Sequence, residues 1–159
     1  MDKQTLKADL LQLLDDDIEA ALASSRSAQE TASHEDNQPE NQYDTLALEA
    51  AYLAHGQSER ILRLQKERIA LAKWPMPEAS EDKVIRAGAL VELLSEEDEE
   101  RWLLITPVGG YQLKSGGKKI LVISQQTPLA KKLMNREEGE VVDLTFNGKT
   151  IGWDIVQVS

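Results

Sequence analysis

The sequence predicts an α+β protein in which an antiparallel coiled-coil hairpin of two helices precedes a small antiparallel sheet carrying one helix. Three observations lead there. Residues 2–33 contain neither Gly nor Pro and repeat small or apolar residues at steps of four and three. Residues 47–71 repeat that spacing, and beyond Pro75 and Pro77 the apolar period shortens to that of strands. The expected domains are therefore a hairpin over 1–74, a linker over 75–82 and a sheet domain over 83–159.

In the first arm Leu14, Ile18, Ala21, Ser25, Ala28 and Ala32 share one helix face, with Leu10 and Leu11 extending the stripe backward. In the second, Ala47, Ala50, Ala54, Gln57, Ile61, Leu64, Arg68 and Leu71 form a heptad seam. Each arm would reach roughly 45 Å at about 1.5 Å per residue. Small residues crowd the seam near the bend and Leu and Ile dominate at the far end, so the arms can approach most closely at the tip.

Pro75 and Pro77 end the second arm, because neither can continue a helix and each disfavours helical geometry in the residue before it. Strand-like runs follow at 84–94, 101–106, 119–124, 140–146 and 149–158. Asn147-Gly148 is a strong hairpin signal, since a type I′ turn needs positive φ at both positions. One helix interrupts the strands at about 128–135, with Thr127 as its N-cap and Pro128 at its first position. The pairs Gly109-Gly110 and Gly116-Gly117 sit near turns and do not lead into a helix with a following Lys, so they make no phosphate-binding loop.

The formal charge of -10 opposes direct binding to a phosphate backbone, because an acidic surface gains nothing from counterion release. With no Cys there is no disulfide framework and no thiolate zinc site. Six carboxylates in the first twenty residues exclude a signal-peptide core there, and no apolar run has the length of a membrane span. A cytoplasmic protein with no membrane partner is expected. A monomer is the expected state, although a heptad seam can also pair between chains.

From Ser27 through Glu59 there is no Lys or Arg, whereas Glu30, Glu35, Asp36, Glu40, Asp44, Glu49 and Glu59 all fall in that window. Folding the arms back on each other turns residues 34–44 into an acidic tip. Hard divalent cations prefer oxygen ligands, and magnesium accepts one or two carboxylates while keeping waters. Asp36 and Glu40 are the leading pair, with Glu35 and Asp44 next. The competing structural role is a capping box, in which Asn37 caps the second helix and Glu40 reaches back to its backbone. His34 and His55 have no metal-ligand spacing between them. Basic residues return below the tip, where Arg60 and Arg63 are candidates for contact with nucleic acid or an acidic protein surface.

The run Val84-Ile85-Arg86-Ala87-Gly88-Ala89-Leu90-Val91, the stretch Trp102 to Ile105, the segment Ile123 to Met134 with Thr127-Pro128-Leu129-Ala130, and Glu138-Gly139-Glu140-Val141-Val142 together resemble the C-terminal domain of Gre-type transcription elongation factors. Glu40-Asn41 and Tyr43 are similar to that family's tip pattern, with Asn37 standing where the family has Asp and Pro39 inserted before Glu40. The resemblance implies an FKBP-like fold for the second domain. It further implies RNA polymerase as partner, reached through the secondary channel, with nascent RNA met indirectly.

In that family the tip carboxylates help hold the active-site Mg2+ of the polymerase and promote cleavage of backtracked RNA. Carried over, Asp36 and Glu40 would supply the carboxylates, and Glu35, Asn41, Tyr43 and Asp44 would make tip contacts. Arg60 and Arg63 would touch polymerase or RNA, and Pro128 and Leu129 would dock on the polymerase. The resemblance assigns no cofactor to the chain itself, and the chemistry would belong to the polymerase active site. Two other functions stay open: a channel-binding regulator without cleavage activity, and an FKBP-like peptidyl-prolyl isomerase or chaperone. The second needs an apolar, aromatic-lined concavity, for which residues 83–159 offer Trp102, Tyr111, Phe146 and Trp153.

Overall fold

The computed structural model describes the backbone of residues 1–33 and 46–159 and the side chains of residues 1–27, 30 and 55–159. The elements run α1 (Lys3–Ser33), α2 (Leu46–Lys73), β1 (Leu90–Ser95), β2 (Glu100–Thr106), β3 (Tyr111–Ser115), β4 (Lys118–Ser124), α3 (Pro128–Leu133), β5 (Val141–Phe146) and β6 (Lys149–Val158). Two compact units are formed, one by Met1–Leu11 together with Ala70–Ser159 and the other by Gln12–Ile69.

In the unit of residues 12–69 the helices run antiparallel. Arg68 near the end of α2 pairs with Asp15 near the start of α1, while Leu22 and Ser25 line one groove with Ser58 and Ile61. Leu14, Ala21, Ser25, Ile61 and Leu64 are buried and Ile18, Gln57 and Arg68 half-buried, which is the seam read from the sequence. The seam side chains Ala28, Ala32, Ala47, Ala50 and Ala54 lie outside the described ones.

In the other unit, the opening turns of α1 lie beside the last residues of α2. Asp2 caps α1, its carboxylate accepting from Gln4 N at 3.1 Å and from Thr5 Oγ1 at 2.6 Å. Lys7 Nζ donates to the carbonyls of Trp74 at 2.6 Å and Ala72 at 3.4 Å, so a cation satisfies carbonyl groups that α2 leaves open at its negative end. The segment after α2 is held by a close approach to Gly88. A Cβ built on Gly88, whose φ is +92°, would stand 2.4 Å from Pro77 Cδ.

The six strands form one sheet in the order β3-β4-β2-β1-β6-β5. Four of the five pairings are antiparallel, but β2 and β4 are parallel, so the sheet is mixed and mostly antiparallel. The expected five strand-like runs omit β3. That strand pairs with β4 as a hairpin edge and buries only Leu113 fully, so its residues leave little alternation to read. The expected strand at 84–94 begins only at Leu90, because the positive φ of Gly88 interrupts extended geometry and leaves Val84 in an isolated bridge to Glu137.

One face of the sheet collects Val91, Leu93, Leu103, Ile105, Leu144, Trp153 and Ile155 into a core that α3 covers with Ala130 and Leu133. Helix α3 starts as the sequence predicts, Thr127 Oγ1 accepting from Ala130 N at 3.2 Å. Its exit comes earlier than expected, with Met134 extended and Asn135 at φ 66°. Asn147 (φ 52°) and Gly148 (φ 78°) make the β5–β6 turn with positive φ at both positions.

Gly88→Ala and Gly110→Ala separate close approach from backbone conformation, because both positions have positive φ but only Gly88 has a neighbour within 4 Å. Urea unfolding of Gly88→Ala is expected to lose about 1–3 kcal/mol, and of Gly110→Ala about 1 kcal/mol from the positive φ alone. Equal losses would show that the Pro77 contact contributes nothing.

Candidate functional site

The residues that the sequence singles out fall into three places. Glu35, Asp36, Glu40, Asn41, Tyr43 and Asp44, with His34 and the Asn37 capping box, lie outside the described residues. Arg60 and Arg63 are exposed on α2. Pro128 is exposed at the start of α3, while Leu129 beside it is half-buried and packs against the sheet core. One helical turn thus presents a rigid ring outward and anchors itself with the next side chain.

The lower part of α2 is not uniformly available as a cationic surface. Arg68 Nε donates to Asp15 Oδ1 at 2.7 Å, and the guanidinium also reaches Asp15 Oδ2 at 3.3 Å. This bidentate pair crosses between the two helices and fixes their register. The hydrogen bond from Arg68 holds the Asp15 carboxyl below its usual value, its own slight desolvation opposing. His55 lies 3.4 Å from Glu59 one turn away on α2.

On the sheet domain the β1–β2 turn gathers Glu96, Glu97, Asp98, Glu99 and Glu100, and three of these carboxylates hold cations. Glu97 takes Lys149 at 2.7 Å, Glu99 takes Arg101 at 2.7 Å and Glu100 takes Lys118 at 2.5 Å. The Arg101 guanidinium lies 4.3 Å from the Phe146 ring centroid and 5.7 Å from that of Trp153, within cation–π range. Nothing in the spacing of Arg101 reports this stack, because Phe146 and Trp153 come from β5 and β6, strands that do not pair with β2.

The groove beside Phe146 and Trp153 is lined by Glu97, Glu99, Arg101, Asn147 and Lys149 as well as Ile151, and holds about 240 Å³. That charged lining differs from the apolar concavity an isomerase requires. Among the described residues no group of three or more His, Asp or Glu side chains could hold a metal ion. None of the described helices is long and apolar enough to cross a membrane.

A paired-helix segment followed by a mixed sheet with one helix on its face defines the structural class, an α+β protein built in two compact units. The family model for the C-terminal part of the transcription elongation factors GreA and GreB matches residues 79–159, and the chain belongs to the GreA/GreB transcription elongation factor family. No curated protein matches the chain significantly in sequence.

Among solved structures, GreA factor homolog 1 (Gfh1) of Thermus thermophilus is similar at 19% identity and TM-score 0.42, over 94% of each chain. Gfh1 of Thermus aquaticus is similar at 17% identity and TM-score 0.40, over 92% of each. A GreA/GreB elongation factor from Nitrosomonas europaea matches at 20% identity and TM-score 0.38, over 65% of this chain and 90% of that one.

The Asp15–Arg68 pair makes hairpin stability depend on pH. A carboxyl whose folded value is depressed stabilises above its ordinary value of 3.8, and the contribution is lost as pH falls through the lower folded value. Asp15→Asn is therefore expected to lower Tm near neutral pH, with the gap to wild type closing in acid. A gap that stays constant in thermal melts from neutral to strongly acid pH would contradict an ionic role.

Proposed function

We propose that the chain binds RNA polymerase through its secondary channel and brings an acidic tip to the active-site magnesium ion. The reading rests on the family match over residues 79–159, with an antiparallel helix pair preceding it. Residues 1–74 form the reaching part and residues 83–159 the docking part, joined by 75–82. Pro128 and Leu129 meet the polymerase, the outward Pro128 ring giving a rigid contact and Leu129 tying it to the core.

At the tip, Asp36 and Glu40 donate carboxylates to a magnesium ion that the polymerase already holds. A hard cation that keeps several waters can take one or two such ligands, and polarisation of a bound water favours hydrolysis of the backtracked RNA. The absence of Lys and Arg from Ser27 through Glu59 leaves those carboxylates without a cation of their own segment. Glu35, Asn41, Tyr43 and Asp44 surround the pair. Arg60 and Arg63, exposed on α2, face polymerase or nascent RNA along the way.

The second reading, a regulator that occupies the channel without promoting cleavage, draws on Asn37 and Pro39, which change the spacing of acids at the tip. A backtracked elongation complex with magnesium separates the two. Addition of wild-type chain is expected to accelerate RNA cleavage above the intrinsic rate, and Asp36→Ala with Glu40→Ala to lose most of that gain while still binding. Binding with cleavage left at the intrinsic rate would favour the regulator, and failure to bind polymerase would overturn both.

A further inference from the structure

Two grooves open at one end of the sheet, and Glu99 and Arg101 line both of them. One is the groove beside Phe146 and Trp153. The other, of about 380 Å³, is also lined by Leu103, Leu121, Gln112 and Lys119. Arg101 therefore stands between them.

Strands β2 and β4 run parallel with Trp102 beside Ile120 and Leu103 beside Leu121, so one step back the same register sets Arg101 beside Lys119. Both belong to the face of Leu103 and Leu121, because alternate residues of a strand share a face. Like charges in neighbouring positions repel. Glu99 answers one of them, holding Arg101 at 2.7 Å, whereas exposed Lys119 has no carboxylate partner among the described residues. Glu100, which also borders this groove, is taken by Lys118 at 2.5 Å. A site with two cations is thus short of one anion.

On the other side of Arg101 a hydrogen-bond donor lacks its acceptor. Trp153 is 1% exposed and lines that groove, and its indole Nε1–H has no partner among the described residues. A buried N–H left unpaired is uncommon and costly. Arg101 and Lys149 cannot serve it, since both only donate. The carboxylates of Glu97 and Glu99 are engaged by those same two cations.

We propose that the paired grooves bind an acidic residue of an extended peptide segment from a partner protein. Its side-chain carboxylate sits between Arg101 and Lys119, and a main-chain carbonyl beside it accepts from the indole of Trp153. One residue type carries both missing acceptors, and Leu103, Leu121 and Ile151 offer apolar contact to its neighbours. Lys119 precedes Ser124 by about 16 Å along β4, at about 3.3 Å per residue, so this end of the sheet is separate from Pro128. The proposal does not rest on the polymerase reading, and the purified chain tests it.

Proton–nitrogen NMR of the full chain reads one indole N–H for each of Trp74, Trp102 and Trp153, with Trp153→Phe assigning the last. Titration with the end-blocked tripeptide Ala-Glu-Ala is expected to move the Trp153 signal downfield, saturating at millimolar peptide. End-blocked Ala-Gln-Ala is expected to bind about tenfold more weakly, because it lacks the charge. Lys119→Gln is expected to weaken Ala-Glu-Ala binding about threefold, with Tm unchanged because Lys119 is exposed. Equal binding of the two peptides overturns the proposal. So does a Trp153 signal that stays in place, or binding that Lys119→Gln leaves unchanged.

Discussion

The antiparallel register of α1 and α2 is the constraint on which the rest of this molecule depends. A helix pair held by one seam has little burial to spare, so polar contacts that tie one helix to the other add to its fastening. In the unit of residues 12–69, buried Leu14, Ala21, Ile61 and Leu64 supply the apolar contact, and the bidentate Arg68–Asp15 bond admits one register. In the other unit Lys7 fastens the beginning of α1 to the carbonyls that end α2. Arg60 and Arg63 stand exposed on α2, whose register against α1 these contacts set.

The sheet domain solves a different problem, that of making a firm platform from six short strands. Inserting β4 parallel to β2 puts β3 at one edge and leaves β2 and β1 in the middle. The face under α3 is closed by Ala130 and Leu133, and beyond the reach of that helix Arg101 lies over Phe146 and Trp153. A guanidinium held by Glu99 over two rings covers apolar surface without filling it. The result is a face whose grooves are bordered by charge.

Much of this was legible in the residues because its causes are local. Heptad spacing marks the seam; Pro75 and Pro77 mark the end of α2; Thr127-Pro128 marks the start of α3; Asn147-Gly148 marks a turn. What escaped has non-local causes. Strand β3 exists through its pairing with β4, the parallel β2–β4 contact through topology, and the late start of β1 through the conformation that Gly88 adopts against Pro77. Heptad spacing places Arg68 in the seam, but it does not name Asp15 on the other helix as its partner. Of the candidate site, the sequence names Arg60, Arg63, Pro128 and Leu129, whose exposure or packing is described, whereas the six tip residues lie outside the described ones.

As proposed above, a GreA/GreB-family chain with this helix pair delivers residues 35–44 to the polymerase active centre. Site-specific photocrosslinking tests it most directly, with a benzophenone side chain placed at Tyr43 in one preparation and at Leu22 in another, each added to a backtracked elongation complex. Position 43 is expected to crosslink to the catalytic centre or to the RNA 3′ end, and position 22 is not. Crosslinks from position 43 that map only to the outer surface of the polymerase would contradict it.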